Sequence, residues 1–384
     1  MKFKSVFRNA RRFYLLIVLL FVFSVTPFAL SGCGGSSSSS PSSSSPSSSS
    51  PSSSSLSIFG SPTPTTASGN VWVTNEGGRN VTELDSSGAL IGTYAAGRLP
   101  VAIAIDSSGN TWVTNRSSGN VTELSSSGAL IGTYPAGTYP AGIAIDSSGN
   151  VWVVNNGTGT AGTASGDSNV MELDSSGALI GTYVVGIYPY GIAIDSSGNV
   201  WVVNSGNGNV TELSSSGALI GNYTVGTYPF AIAIDSSGNV WVTNSGSGNV
   251  TELSSSGALI GTYAAGSRPQ GIAIDSSGNV WVVNVGSNNV TELSPSGALI
   301  GTYAVGIYPY GIAIDSSGNV WVVNAGNGTA GIATGDSNVT ELSSSGALIG
   351  TYAVGIYPYG IAIELSGNNG EYFPYKGPEW PYSF

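Results

Sequence analysis

Seven tryptophans, Trp72, Trp112, Trp152, Trp201, Trp241, Trp281 and Trp321, stand in one phrase, Trp-Val-(Thr/Val)-Asn, at spacings of 40, 40, 49, 40, 40 and 40 residues. A period near forty belongs to propellers and solenoids. Each period holds four short β-branched or aromatic runs. From Gly142 they read Gly-Ile-Ala-Ile-Asp, Val-Trp-Val-Val-Asn, Val-Met-Glu-Leu and Ala-Leu-Ile-Gly-Thr-Tyr, divided by Ser-Ser-Gly-Asn or Ser-Ser-Gly turns. No stretch sustains a helical period. Four strands per repeat is the content of one propeller blade. The repeats open on a second strand, Val71 to Asn75, and close on an unaccompanied first strand, Tyr359 to Ile363. The two leftovers complete one blade. The expectation is therefore an all-β chain: a seven-bladed β-propeller of four-stranded blades over residues 68–364. N-terminal strands pair with the C-terminal first strand, which leaves no open end.

The N-terminus reads differently. Five of the ten basic residues (Lys2, Lys4, Arg8, Arg11, Arg12) precede an apolar run from Phe13 to Leu30, the pattern of an export signal. The run is also about long enough to span a bilayer. Leu30-Ser31-Gly32-Cys33 resembles the lipobox of bacterial lipoproteins, and Cys33 is the chain's single cysteine. That resemblance implies a signal peptide over 1–32, cleavage before Cys33 and lipidation of its thiol. The chain would then sit in a bacterial cell envelope, outside the cytoplasm and on the outer membrane where there is one. Removal of the signal would leave five basic residues against 21 acidic ones, a net −16. Such a body is repelled by anionic lipid, so the anchor would do the holding. Residues 33–67 are serine-rich, with Pro41, Pro46 and Pro51 in the run from Ser36 to Ser55. They offer nothing to bury and read as a tether reaching roughly 60 Å at ~3.1 Å per residue. An aromatic and proline-rich tail occupies 365–384.

The phrase Gly-Ile-Ala-Ile-Asp-x-x-Gly-Asn-Val-Trp-Val-x-Asn resembles the NHL-repeat propellers, and among them the streptogramin B (virginiamycin B) lyases. The resemblance covers about Ser68 to Ile363. It implies a histidine base and magnesium at one mouth of the ring, yet the chain contains no histidine. No catalytic residue carries over, and none is assigned. The same absence closes off Ser-His-Asp chemistry and imidazole metal sites. Ten basic residues against 21 acidic ones argue against a nucleic-acid partner.

Two mouths carry the candidate sites. Asp106, Asp146, Asp195, Asp235, Asp275, Asp315 and Glu364 end the first strands at one mouth. Such a ring would suit calcium or magnesium; alternatively each Asp caps its own Asp-Ser-Ser-Gly turn. The third-strand glutamates (Glu83, Glu123, Glu172, Glu212, Glu252, Glu292, Glu341) and the tryptophans read as structural. At the opposite mouth the repeats diverge around a shared proline. Arg98, Tyr139, Tyr188, Tyr190, Tyr228, Phe230, Arg268, Gln270, Tyr308, Tyr310, Tyr357 and Tyr359 fall there, as do two nine-residue insertions within 156–168 and 325–337. Tyrosines with a few arginines suit a sugar, a planar small molecule or a protein partner. The alternative is that these aromatics only wedge between blades. The readings left open are a membrane-anchored binding module, a lyase-like or lactonase-like enzyme, and a structural surface spacer.

Overall fold

A computed structural model describes residues 69–158, 167–327 and 336–364. The expected signal and tether, Cys33, the inner parts of both insertions and the tail lie outside the described residues. Twenty-eight strands form seven four-stranded antiparallel sheets. Blade two shows the pattern, with Pro100–Ile105 innermost, then Thr111–Asn115, Asn120–Leu124 and, outermost, Leu130–Pro135. Blade one is stitched: its inner strand is Pro358–Ile363, hydrogen-bonded to Val71–Asn75, which pairs onward with Asn80–Leu84 and then Leu90–Ala95. The expected ring and its closure are both present.

The inner strands stand side by side around the axis. The second strands are buried along their whole length, as a strand covered on both faces must be. Their valines and tryptophans fill the spaces between blades. Trp152 and Val154 of blade three, for example, pack against Ile194, Val200, Val202 and Leu213 of blade four. The fourth-strand tyrosine completes each wedge, with ring centroids of Trp112 and Tyr134 5.4 Å apart.

A turn glycine lets each blade lock onto the previous one. Gly128 has φ +77°, and a Cβ placed on it would lie 2.0 Å from the Tyr94 ring. The seam that closes the ring uses the same device, with Gly88 against Tyr352. The outermost strands carry a β-bulge. Glu83 pairs with Gly92 and Leu84 with Leu90, so Ile91 is the extra residue. Leu90 and Ile91 both end up solvent-facing, and the pair recurs in every blade.

Antiparallel alternation fixes the two mouths. Inner strands end at the Asp-Ser-Ser-Gly turns, called here the aspartate mouth. The loops before each inner-strand proline and those after each second-strand asparagine meet at the proline mouth.

Candidate functional site

At the aspartate mouth the structure spends each aspartate locally. Asp106 Oδ1 accepts the N–H groups of Ser108 and Asn110, both at 2.8 Å; Oδ2 accepts Asn110 Nδ2 at 3.0 Å and Trp112 Nε1 at 3.1 Å. Asp146, Asp195, Asp235, Asp275 and Asp315 repeat these four bonds. Glu364 is joined to the start of the ring through its N–H, donated to the Asn70 carbonyl at 2.8 Å. Among the described residues no three acidic side chains come together as metal ligands. The donor set at this mouth does not fit a magnesium or calcium ion.

The glutamates are buried inside the blades. Glu83 accepts the Tyr94 hydroxyl at 2.7 Å and Asn70 Nδ2 at 2.7 Å. In blade four, Asn199 donates to both Asp195 and Glu212, so a chain of bonds runs Tyr223–Glu212–Asn199–Asp195–Trp201. Burial raises the Glu212 carboxyl above its ordinary range, and the Tyr223 bond opposes that. Tyr223 itself is pushed up to about 12 by burial and by the glutamate beside it.

The proline mouth is where the sevenfold pattern breaks. The residue before each proline (Leu99, Tyr139, Tyr188, Tyr228, Arg268, Tyr308, Tyr357) is left-handed, with φ between 48° and 55°. Side chains other than glycine pay for that conformation. It is held because the residue's carbonyl accepts an N–H from the loop after the second strand, as Leu99 does from Arg116 at 2.9 Å. The backbone is thus the same seven times while its side chains differ.

The residue after each proline opens the inner strand and forms a collar around the axis. In ring order the collar is Val101, Ala141, Tyr190, Phe230, Gln270, Tyr310 and Tyr359. Tyr190 stacks on Phe230 at 4.7 Å between centroids, and Tyr310 on Tyr359 at 4.8 Å. Gln270 sits between the pairs, 7% exposed, and its Oε1 has no hydrogen-bond partner. Val101 and Ala141 are the small members of the collar, and both are buried.

The structure therefore brings Tyr190, Phe230, Gln270, Tyr310 and Tyr359 together. Tyr357 hydrogen-bonds Tyr310, and Arg268 acts on Tyr310 electrostatically. Burial drives both Tyr310 and Tyr359 well above the ordinary tyrosine range. Arg98, Tyr139, Tyr228 and Tyr308 are exposed on the loops, outside the collar. Tyr188 lies on the loops as well.

Two residues at the centre escaped the sequence-based set of site residues. Arg116 is half-buried and reaches the collar, its guanidinium 5.7 Å from the Tyr190 ring centroid. Glu76 is raised by burial, an effect Arg116 opposes. Both follow the second-strand asparagine, a position that reads Glu76, Arg116, Asn156, Ser205, Ser245, Val285 and Ala325 around the ring. That variation is a signal legible in the sequence. Beside Arg116 lies an open depression of about 440 Å³, bounded by Leu99, Tyr139, Asn156 and Thr158. Below the collar an apolar channel of about 200 Å³ runs along the axis.

Charge is divided between the mouths. Arg79, Arg98, Arg116 and Arg268, all the basic residues among those described, lie at the proline mouth with Glu76, Asp167 and Asp336. The other described acids lie towards the aspartate mouth.

Comparison with known proteins gives a consistent relationship. The profile of the virginiamycin B lyase family matches residues 61–293 and 185–367. No curated protein matches the chain in sequence. Among solved structures, one described as a streptogramin B lyase structure aligns with TM-score 0.59 and 18% identity, covering 76% of this chain and 91% of the other. A catalytically inactive histidine-to-alanine variant of virginiamycin B lyase from Staphylococcus aureus, with quinupristin, aligns with TM-score 0.58 and 18% identity over 69% of this chain and 92% of its own. A functionally unknown protein from Desulfotomaculum acetoxidans aligns with TM-score 0.65 and 16% identity over 77% and 98%.

Proposed function

The chain belongs to the virginiamycin B lyase family, and on that premise we propose that it is a binding member of the family, held in the bacterial cell envelope through lipidated Cys33. Its proline mouth receives a small molecule, a glycan or a protein. One observation carries the reading: an almost invariant sevenfold scaffold changes its side chains at one mouth, where the arginines and the aromatic collar gather. Drift alone would scatter such changes over both mouths. The chain enters the ring at Gly69 and Asn70, beside Glu364 at the aspartate mouth.

The lyase reading draws on family membership, and on the Staphylococcus aureus relative, whose inactive variant lacks one histidine. This chain has no histidine to supply an equivalent base.

Two measurements test the proposal. Cys33→Ser should move the full-length protein from the membrane to the soluble fraction on cell fractionation; retention on the membrane would remove the anchor. A screen of glycans and planar metabolites should yield a ligand whose affinity falls when Arg98 and Arg268 are both changed to alanine. Turnover of a streptogramin or a lactone would instead make the protein an enzyme.

A further inference from the structure

The channel under the collar is lined by Ala102, Ile103, Ala231, Ile272, Ile312 and Ile361, with Phe230, Tyr310 and Tyr359 at its rim. An aliphatic cavity of this kind is not a favourable place for water, which needs two to four polar partners. Val101, the small collar residue of blade two, lines it as well. Arg116 belongs to the same blade and lies over the Tyr190 ring, which stacks on Phe230 at the channel's rim; it also acts electrostatically on Tyr359. Among the described residues its guanidinium has the Tyr190 ring as a neighbour and no hydrogen bond or ion pair closing its fork. Glu76 is the acid nearest in effect; burial raises its carboxyl above the ordinary range and Arg116 opposes that.

We propose that the axial channel takes the hydrocarbon end of an unbranched monocarboxylate, with the carboxylate held by Arg116 beside the collar. This rests on the reading of the proline mouth as a ligand site. Three observations select the class. The aliphatic walls call for an apolar tail. The free, planar fork of Arg116 matches a carboxylate in two parallel hydrogen bonds. A net charge of −16 on the chain once the signal is removed, with a single half-buried arginine beside the collar, favours a monoanion over a phosphate dianion. The cavity of about 200 Å³ equals roughly seven water volumes of ~30 Å³ each, which suits a chain of about six to eight carbons.

Titration calorimetry on the purified protein with octanoate, octanol and acetate tests it. Octanoate should bind, octanol should bind at least about tenfold more weakly, and acetate should give no heat. Arg116→Gln should lower octanoate affinity to that of octanol and leave octanol unchanged. Ala231→Leu, which narrows the channel, should weaken octanoate and octanol alike. Ile272→Phe serves the same purpose if that variant loses its near-ultraviolet circular dichroism. Equal octanoate binding by the wild type and Arg116→Gln, or no octanoate binding at about 10 mM, overturns the proposal. If a glycan or planar ligand still binds through Arg98 and Arg268, only the channel assignment falls. If no ligand class binds, the mouth itself is not a site.

Discussion

Trp201 donates its indole N–H to Asp195, and that single bond explains why an aspartate and a tryptophan recur six residues apart. The carboxylate organises the turn through Oδ1 and satisfies a buried indole through Oδ2. Asp195→Asn keeps one acceptor oxygen and loses the other. It should cost about 1–3 kcal/mol in urea unfolding, because a buried donor is left unpaired. A loss below a few tenths would mean the indole bond is unimportant. The inter-blade lock is equally local. Gly88→Ala places a Cβ where the Tyr352 ring lies, at φ +80°, and should cost about 2–4 kcal/mol. At this scale the sequence was half legible. Turn capping by aspartate was readable from Asp-Ser-Ser-Gly, whereas the indole and tyrosine partners depend on how strands stack and are invisible to spacing. The same holds for Arg116: its position was variable in sequence, but its approach to the Tyr190 ring emerges only when the blades stand side by side.

A third strand that buries a carboxylate in every blade is an unusual element, and it gives the ring a pH response. Burial raises Glu123, Glu212, Glu252, Glu292 and Glu341 above the ordinary 4.5, with the tyrosine bond opposing. The folded form then holds these protons more tightly than the unfolded chain. Stability is greatest below the unfolded value and falls as pH rises through the folded values. Asp85 and Asp174 are lowered, chiefly by bonds from Ser87 and Ser176, and act only below 3.8, outside this window. The thermal midpoint should therefore decline from pH 4.5 towards neutrality. Glu252→Gln should flatten that decline, and an unchanged slope would count against it. The outermost strands show a second element-scale device. Their exposed Leu-Ile pairs would invite edge-to-edge pairing on a flat strand, and the bulge at Ile91 and its equivalents breaks the ladder. The strands themselves were plain in the sequence through their β-branched runs. The bulge was not, because one extra residue leaves the composition unchanged.

For the whole molecule, closure is the strongest constraint. Gly360 donates its N–H to Thr74 Oγ1 at 2.8 Å, across 286 residues of sequence. Ending the chain before Pro358 would strip Val71–Asn75 of its inner partner and reopen the ring. Such a truncation should aggregate or unfold in several broad steps in place of one cooperative transition; a single sharp transition at an unchanged midpoint would show that closure is dispensable. Seven blades and the stitched blade were both readable from the phase of the repeat. The site was less so, because a collar is built from one residue per blade and its chemistry emerges only when the ring sets those residues face to face.

Joining the first strand of the ring to the last also imposes a schedule. A ribosome adding ~5–20 residues per second needs on the order of tens of seconds to deliver the inner strand of blade one after its second strand has emerged. Throughout that interval Val71–Asn75 offers one unpaired edge, with Val71, Trp72 and Val73 lacking their inner cover. The six continuous blades can assemble as each is completed, but the stitched one cannot. The slowest step in maturation should be the docking of Pro358–Ile363, and its rate will set how long the nascent protein depends on a holding chaperone.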